Sequence, residues 1–168
     1  MGQKHASIFS MILLLAACGQ LNTDAGRTVP AGDPSDRIAG VASVIDGDTI
    51  EIHGQRIRLS GFDSPERGKT CAGTNVYQKA ALYLSDQIGT RTVTCNSTGK
   101  DSYDRAVATC RVNGADLGDL MVGAGWARDW PKYSQGAYAD AEVRARAARK
   151  GVWNLECPDD LWGNRKYD

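Results

Sequence analysis

Val44-Ile45-Asp46-Gly47-Asp48-Thr49-Ile50-Glu51-Ile52-His53-Gly54-Gln55-Arg56-Ile57-Arg58-Leu59 is the stretch whose reading decides the fold. Val41, Val44 and Ile45, then Ile50 and Ile52, mark two strands about the Asp46-Gly47-Asp48 turn. His53-Gly54-Gln55 turns the chain again into a third strand, with Arg56 and Arg58 on one face and Ile57 and Leu59 on the other. The domain therefore begins near Ile38 with three strands in succession.

Downstream, residues 66–75 hold Gly68, Lys69 and Gly73 without an apolar pattern, and are expected to form a mobile loop. Val76, Tyr77, Ala80, Ala81, Leu84 and Ile88 recur at helical spacing. Two strands follow, 91–95 and 105–112, split by a polar connector at 96–104. Asp116 can cap a short helix carrying Leu117, Leu120 and Met121, and residues 137–150, rich in Ala, Arg and Glu, form a last helix ending at Gly151. Val152, Trp153 and Leu155 then return to the core, where Trp126 also belongs. Five strands, one helix after strand 3 and two C-terminal helices are compatible with an α+β fold, a small closed β-barrel bearing helices. A five-stranded barrel of this kind has the OB-fold architecture.

At 168 residues the chain holds one well-buried domain. Twenty Lys and Arg balance twenty Asp and Glu, so no global basic field draws a polyanion and any nucleic-acid site must be local. Near the N-terminus, Lys4 and His5 precede an apolar run, Ile8 to Ala17, too short to span a bilayer as a mature helix. This is expected to be an export signal over residues 1–17, and Leu15-Ala16-Ala17-Cys18 resembles a bacterial lipobox with Cys18 as the acylated residue. Cys18 and the Gly-, Asp-, Thr-, Ser- and Pro-rich residues to 36 then form a flexible tether, the domain spans 37–157, and 158–168 is a C-terminal tail. The expected location is the cell envelope, with membrane attachment through the lipid. Gly19 after the cysteine favours the outer membrane.

The other four cysteines, Cys71, Cys95, Cys110 and Cys157, suit disulfides in an exported domain, and three pairings are open. Proximity favours Cys95 with Cys110, each closing a strand-like run, which leaves Cys71 for Cys157. With only His5 and His53 and no CxxC spacing, a structural zinc site is not expected.

The chemistry lies in a few residues. Asp48 and Asp63 each end a strand-like run, and two carboxylates with carbonyl and water oxygens suit a hard cation such as Ca2+. Taken singly, each also fits a turn former, since Asp-Gly and Asp-Ser-Pro favour turns. Arg58, on the polar face of its strand, can grip two phosphate oxygens, and Arg105 can do so from another strand. Glu66, stiffened by Pro65 before it, is either a general base that takes a proton from water or a water-mediated metal ligand.

Ile45-Asp46-Gly47-Asp48-Thr49, Arg58-Leu59 with Asp63-Ser64-Pro65-Glu66, and Tyr103-Asp104-Arg105 resemble, in order and spacing, the three signature segments of the staphylococcal nuclease (thermonuclease) family. The resemblance covers residues 38–155 and implies an OB-fold barrel and a Ca2+-dependent endonuclease of the micrococcal nuclease type. Its substrates would be DNA and RNA, above all single-stranded or unstacked, with 3′-phosphates as products and a monomer as the working form. Carried onto this chain, it makes Asp48, Asp63 and the Ser64 carbonyl the Ca2+ ligands, Arg58 and Arg105 the phosphate-binding catalytic arginines, and Glu66 the base. Asp46 adds negative potential, and Tyr103 and Tyr133 contact substrate. Ser102 stands where the best-known member has lysine, Asp104 replaces a common glycine, and of the two tyrosines usual near the base only Tyr133 aligns, beside Trp130. These departures imply an altered base preference or a higher substrate requirement, with the chemistry intact. A catalytically silent OB-type module that binds nucleic acid or protein in the envelope is the competing reading.

Overall fold

The computed structural model describes residues 1–2 and 36–167. Cys18 lies outside the described residues, as do the export signal and tether apart from residues 1–2 and 36, and among those described no helix is long and apolar enough to cross a membrane.

The chain runs β1 (Arg37–Asp46), β2 (Thr49–Ile52), β3 (Gln55–Leu59), β4 (Phe62–Asp63), β5 (Thr70–Cys71), β6 (Thr74–Asn75), α1 (Val76–Ile88), β7 (Thr92–Lys100), β8 (Ala106–Val112), β9 (Ala115–Asp116), α2 (Leu117–Gly123), β10 (Arg128–Asp129), α3 (Pro131–Ser134) and α4 (Ala139–Ala147), followed by a 3-10 turn, Gly151–Asn154. The long first strand does two jobs: residues 42–46 pair with β2 and residues 37–41 with β7, both antiparallel. That double pairing curls the sheet. β2 pairs with β3 and β7 with β8, and a parallel ladder between β3 and β8, Ile57 to Leu59 against Ala106 to Ala108, closes a five-stranded barrel. At the β2–β3 turn, His53 and Gly54 both have positive φ (54° and 78°), the pattern of a type I′ turn whose twist matches the strands it joins.

α1 runs over the residues its periodicity predicts. The Asn75 side chain accepts a 3.0 Å hydrogen bond from the Gln78 amide, and Val76, Ala80, Leu84 and Ile88 form its buried stripe. Asp116 caps α2 as expected, accepting from the Gly118 amide at 2.9 Å. α4 is shorter than the predicted 137–150, and α3 is an extra turn begun by Pro131. Ile50, Ile52, Ile57, Leu59 and Phe62 from the first strands meet Leu84, Val93, Leu117 and Met121 in the main core.

Three segments depart from the expectation. The connector at 96–104 is strand as far as Lys100, with a bulge between Ser97 and Gly99; its polar side chains face outward while its backbone pairs with β8. The loop at 66–75 contains the β5–β6 hairpin. The tail is part of the body: Leu161 and Trp162 are buried with Cys71, Val76 and Val152 in a second cluster against which Trp126 and Trp153 pack. A disulfide between Cys71 and Cys157 ties the hairpin to that segment, and another joins Cys95 and Cys110, which face each other across β7 and β8.

Candidate active site

Polar residues gather where β3 and β8 meet. Asp48 ends the turn after β1. A Cβ on the preceding Gly47 would lie 2.6 Å from Ser64 Cβ, so only glycine lets this turn approach the end of β4. The approach places the Asp48 carboxylate to accept hydrogen bonds from the Ser64 amide and hydroxyl, both at 3.0 Å. Asp63, on β4 and paired with β10, is fully buried.

Arg58 lies between the two carboxylates. One guanidinium nitrogen contacts Asp48, and the other donates to Asp63 Oδ1 at 2.6 Å and to the Phe62 carbonyl at 3.1 Å. Burial lowers the Arg58 pKa, and the Asp63 charge opposes it. Arg105, just before β8, reaches the polar region from the neighbouring strand and is held by Asp101 through Nε at 2.8 Å and Nη2 at 2.7 Å. Burial would raise the Asp101 carboxyl, but hydrogen bonds from Arg105 and from the Arg105 and Tyr103 amides outweigh it and hold the carboxyl low. Glu66 follows β4, its amide fixed by the Leu161 carbonyl at 3.0 Å.

Two cavities adjoin here. One, of about 170 Å³, is lined by Asp46, Asp48, Ser64 and Glu66 among others. The other, of about 460 Å³, has Tyr103, Trp130 and Tyr133 on its walls. Asp48, Ser64, Arg58, Glu66 and Arg105 thus converge on the first cavity, with Asp63 buried behind Arg58, while Tyr103 and Tyr133 stand exposed on the second.

Two residues at this site escaped the sequence reading. Arg165 pairs with Asp63 and reaches Glu66 Oε1 at 2.7 Å, and the Tyr167 hydroxyl donates to Asp63 Oδ2 at 2.6 Å. Burial would lower the Arg165 pKa, but Asp63 and Glu66 raise it. Burial and then the Asp63 hydrogen bond push the Tyr167 hydroxyl up. No periodicity marks these residues; their placement follows from Leu161, Trp162 and the Cys71–Cys157 bond.

Among the described residues no group of three or more His, Cys, Asp or Glu side chains could hold a metal. The available donors are carboxylate oxygens, and the positive charge that Asp48 and Asp63 already share is the Arg58 guanidinium. In kind, this donor set fits a hard cation that keeps several waters and not a thiophilic one.

Residues 56–155 match the family model described as "Staphylococcal nuclease homologue". The chain is 35% identical over 143 residues to the "Succinoglycan biosynthesis protein ExoI" of Rhizobium meliloti (strain 1021), a match covering 79% of this chain and 70% of that protein. It is 30% identical to the "Probable endonuclease LCL3" of Schizophyllum commune (strain H4-8 / FGSC 9210), over 62% of this chain and 43% of the relative. To an "Uncharacterized endonuclease" of Haemophilus influenzae (strain ATCC 51907 / DSM 11121 / KW20 / Rd) it is 29% identical, over 67% and 64%.

Proposed function

The chain belongs to the staphylococcal nuclease homologue family, and from that premise we propose that it is a Ca2+-dependent endonuclease cleaving DNA and RNA to 3′-phosphate products. The observation that carries this reading is the seam of the barrel. It sets Arg58 on β3 beside Arg105 at the entry to β8, with the Asp46, Asp48 and Glu66 carboxylates on one side and an aromatic-walled cavity on the other.

In this scheme a nucleic-acid phosphate lies against the two arginines, and an unstacked base enters the cavity walled by Tyr103, Trp130 and Tyr133. Glu66 takes a proton from a water as its oxygen attacks phosphorus in line. The new P–O bond leaves a 3′-phosphate, and the P–O5′ bond breaks, the departing oxygen taking a proton from solvent to leave as a 5′-hydroxyl. Arg58 and Arg105 donate to the oxygens on which negative charge builds, preorganised by Asp63 and Asp101. Asp48 and the Ser64 carbonyl, with Asp63 once its oxygens leave Arg58, Arg165 and Tyr167, would hold Ca2+, which when bound supplies further charge neutralisation at the phosphate.

We also propose that the chain is a lipid-anchored envelope protein; Leu15-Ala16-Ala17-Cys18 supports this reading. A catalytically silent module is the second reading, favoured by the Rhizobium relative, whose name is that of a biosynthesis protein. The two are separated by incubating the purified protein with plasmid DNA and with RNA, in Ca2+ and then in EGTA. Cleavage in Ca2+ that stops in EGTA is expected, and intact substrate in both would refute the nuclease reading.

A further inference from the structure

Among the described residues, three line both cavities, Arg58, Arg105 and Arg165, and a phosphate lying across the junction would meet all of them. The first two come from the barrel seam. The third arrives from the far end of the chain. Beyond Cys157 the segment buries Leu161 and Trp162, and the Leu161 carbonyl accepts from the Glu66 amide at 3.0 Å. At Gly163, a Cβ would lie 3.2 Å from Glu66 Cγ, so the backbone hugs that side chain. Past Arg165 the chain is held again. The Trp130 indole donates to the Lys166 carbonyl at 3.1 Å, and the Tyr167 ring lies 3.7 Å from the Arg128 guanidinium with its hydroxyl on Asp63. Arg165 is therefore clamped from both sides, its guanidinium 5.4 Å from the Trp130 ring centre.

So placed, Arg165 has a role still open to it. Its Nη2 is paired with Glu66 and its Nη1 with Asp63. The guanidinium carries more N–H donors than these two contacts use, and a phosphate oxygen at the cavity junction is a strong acceptor of suitable charge for the rest. Lys100, also on the rim of the aromatic cavity, does not line the other one and is bound to Asp104 at 2.7 Å.

We propose that Arg165 is a third phosphate-binding arginine, gripping the nucleic-acid backbone with Arg58 and Arg105, and that Tyr167 and Trp130 are its positioning residues. The proposal rests on the nuclease reading and adds to it a contact from the C-terminal segment. The contacts to Asp63 and Glu66 hold the guanidinium in place before substrate arrives, so little ordering remains when the phosphate binds.

The test compares the full chain with Arg165→Ala, Arg165→Lys and Tyr167→Phe. Binding of a short single-stranded DNA is followed by anisotropy in EGTA across a salt series, cleavage is assayed in Ca2+, and thermal melts check folding. Loss of a charge-assisted contact is expected to weaken binding by Arg165→Ala about 10-fold or more. The slope of log affinity against log salt should flatten by about 0.7, one phosphate contact on a single strand. Arg165→Lys should restore the slope but not the cleavage rate. Tyr167→Phe should lower the rate and keep the slope. An unchanged slope in Arg165→Ala, even with a lowered melting temperature, overturns the proposal. So does tighter binding by Arg165→Ala, which would make the segment a plug. A parent chain that cleaves while Arg165→Ala matches it refutes the role of Arg165 alone; a parent chain that neither binds nor cleaves refutes the nuclease reading and this proposal together.

Discussion

Arg58 offers the sharpest separation of charge from geometry. Its side chain is 11% exposed and touches two carboxylates and two carbonyls at once. Truncation to alanine removes one partner from a buried ionic cluster, an event that costs roughly 3–5 kcal/mol when the remaining charge is abandoned. Here abandonment is partial. Asp48 keeps the Ser64 amide and hydroxyl, and Asp63 keeps Arg165 and Tyr167. Arg58→Ala should therefore fall at the low end, about 3 kcal/mol, which for a domain of this size lowers Tm by about 10 °C. Arg58→Lys retains the charge, but one ammonium cannot span both carboxylates as the fork does. Losing part of the hydrogen bonding should cost about 1–2 kcal/mol. Cleavage behaves differently, because a phosphate in the transition state needs the fork. Both variants should lose about 100- to 1,000-fold in kcat, the value of one preorganised donor. Urea melts and single-turnover cleavage of a labelled oligonucleotide in Ca2+ give the two quantities separately. If Arg58→Lys cleaves within 10-fold of the parent chain, Arg58 acts as a point charge and the argument from its geometry is refuted.

Burial, and then Asp116 at 3.1 Å, raise the pKa of the Tyr138 hydroxyl. A phenol whose folded pKa exceeds its unfolded value of about 10 gives full stabilisation below that pH, and the contribution shrinks as pH rises through the raised value. Urea midpoints measured from pH 9 upward should therefore decline, and Tyr138→Phe should decline less; parallel slopes would disprove the assignment. For the anchor, cells fed labelled palmitate should yield a labelled protein, and label that persists in Cys18→Ala would rule out Cys18 as its site.

Much of the barrel was legible because its strands alternate and its turns are tight. Ile50, Ile52, Ile57 and Leu59 point inward between polar neighbours, and Asp116 announces the helix that follows it. The far half of β7 was not legible: Asn96, Ser97, Gly99 and Lys100 bury little, and their place in the strand comes from backbone pairing with β8. The same limit hid the C-terminal contribution. Leu161 and Trp162 are too few to make a period, and nothing local to Arg165 or Tyr167 shows that the chain folds back on Asp63. The pairing of Cys71 with Cys157, by contrast, followed from elimination and marks where that return is fastened.

The parallel ladder between β3 and β8 has a kinetic meaning. It joins residues far apart in sequence, Ile57 with Ala106 through Leu59 with Ala108, so forming it requires closure of a long loop. Arg58 and Arg105 become neighbours only through that ladder. A brief opening of this one seam, with every hairpin intact, would part the two guanidiniums and leave an assembled sheet without a phosphate grip. The competence of the site then tracks a long-range contact of the barrel, and amide exchange at 57–59 and 106–108 is where its loss would first be seen.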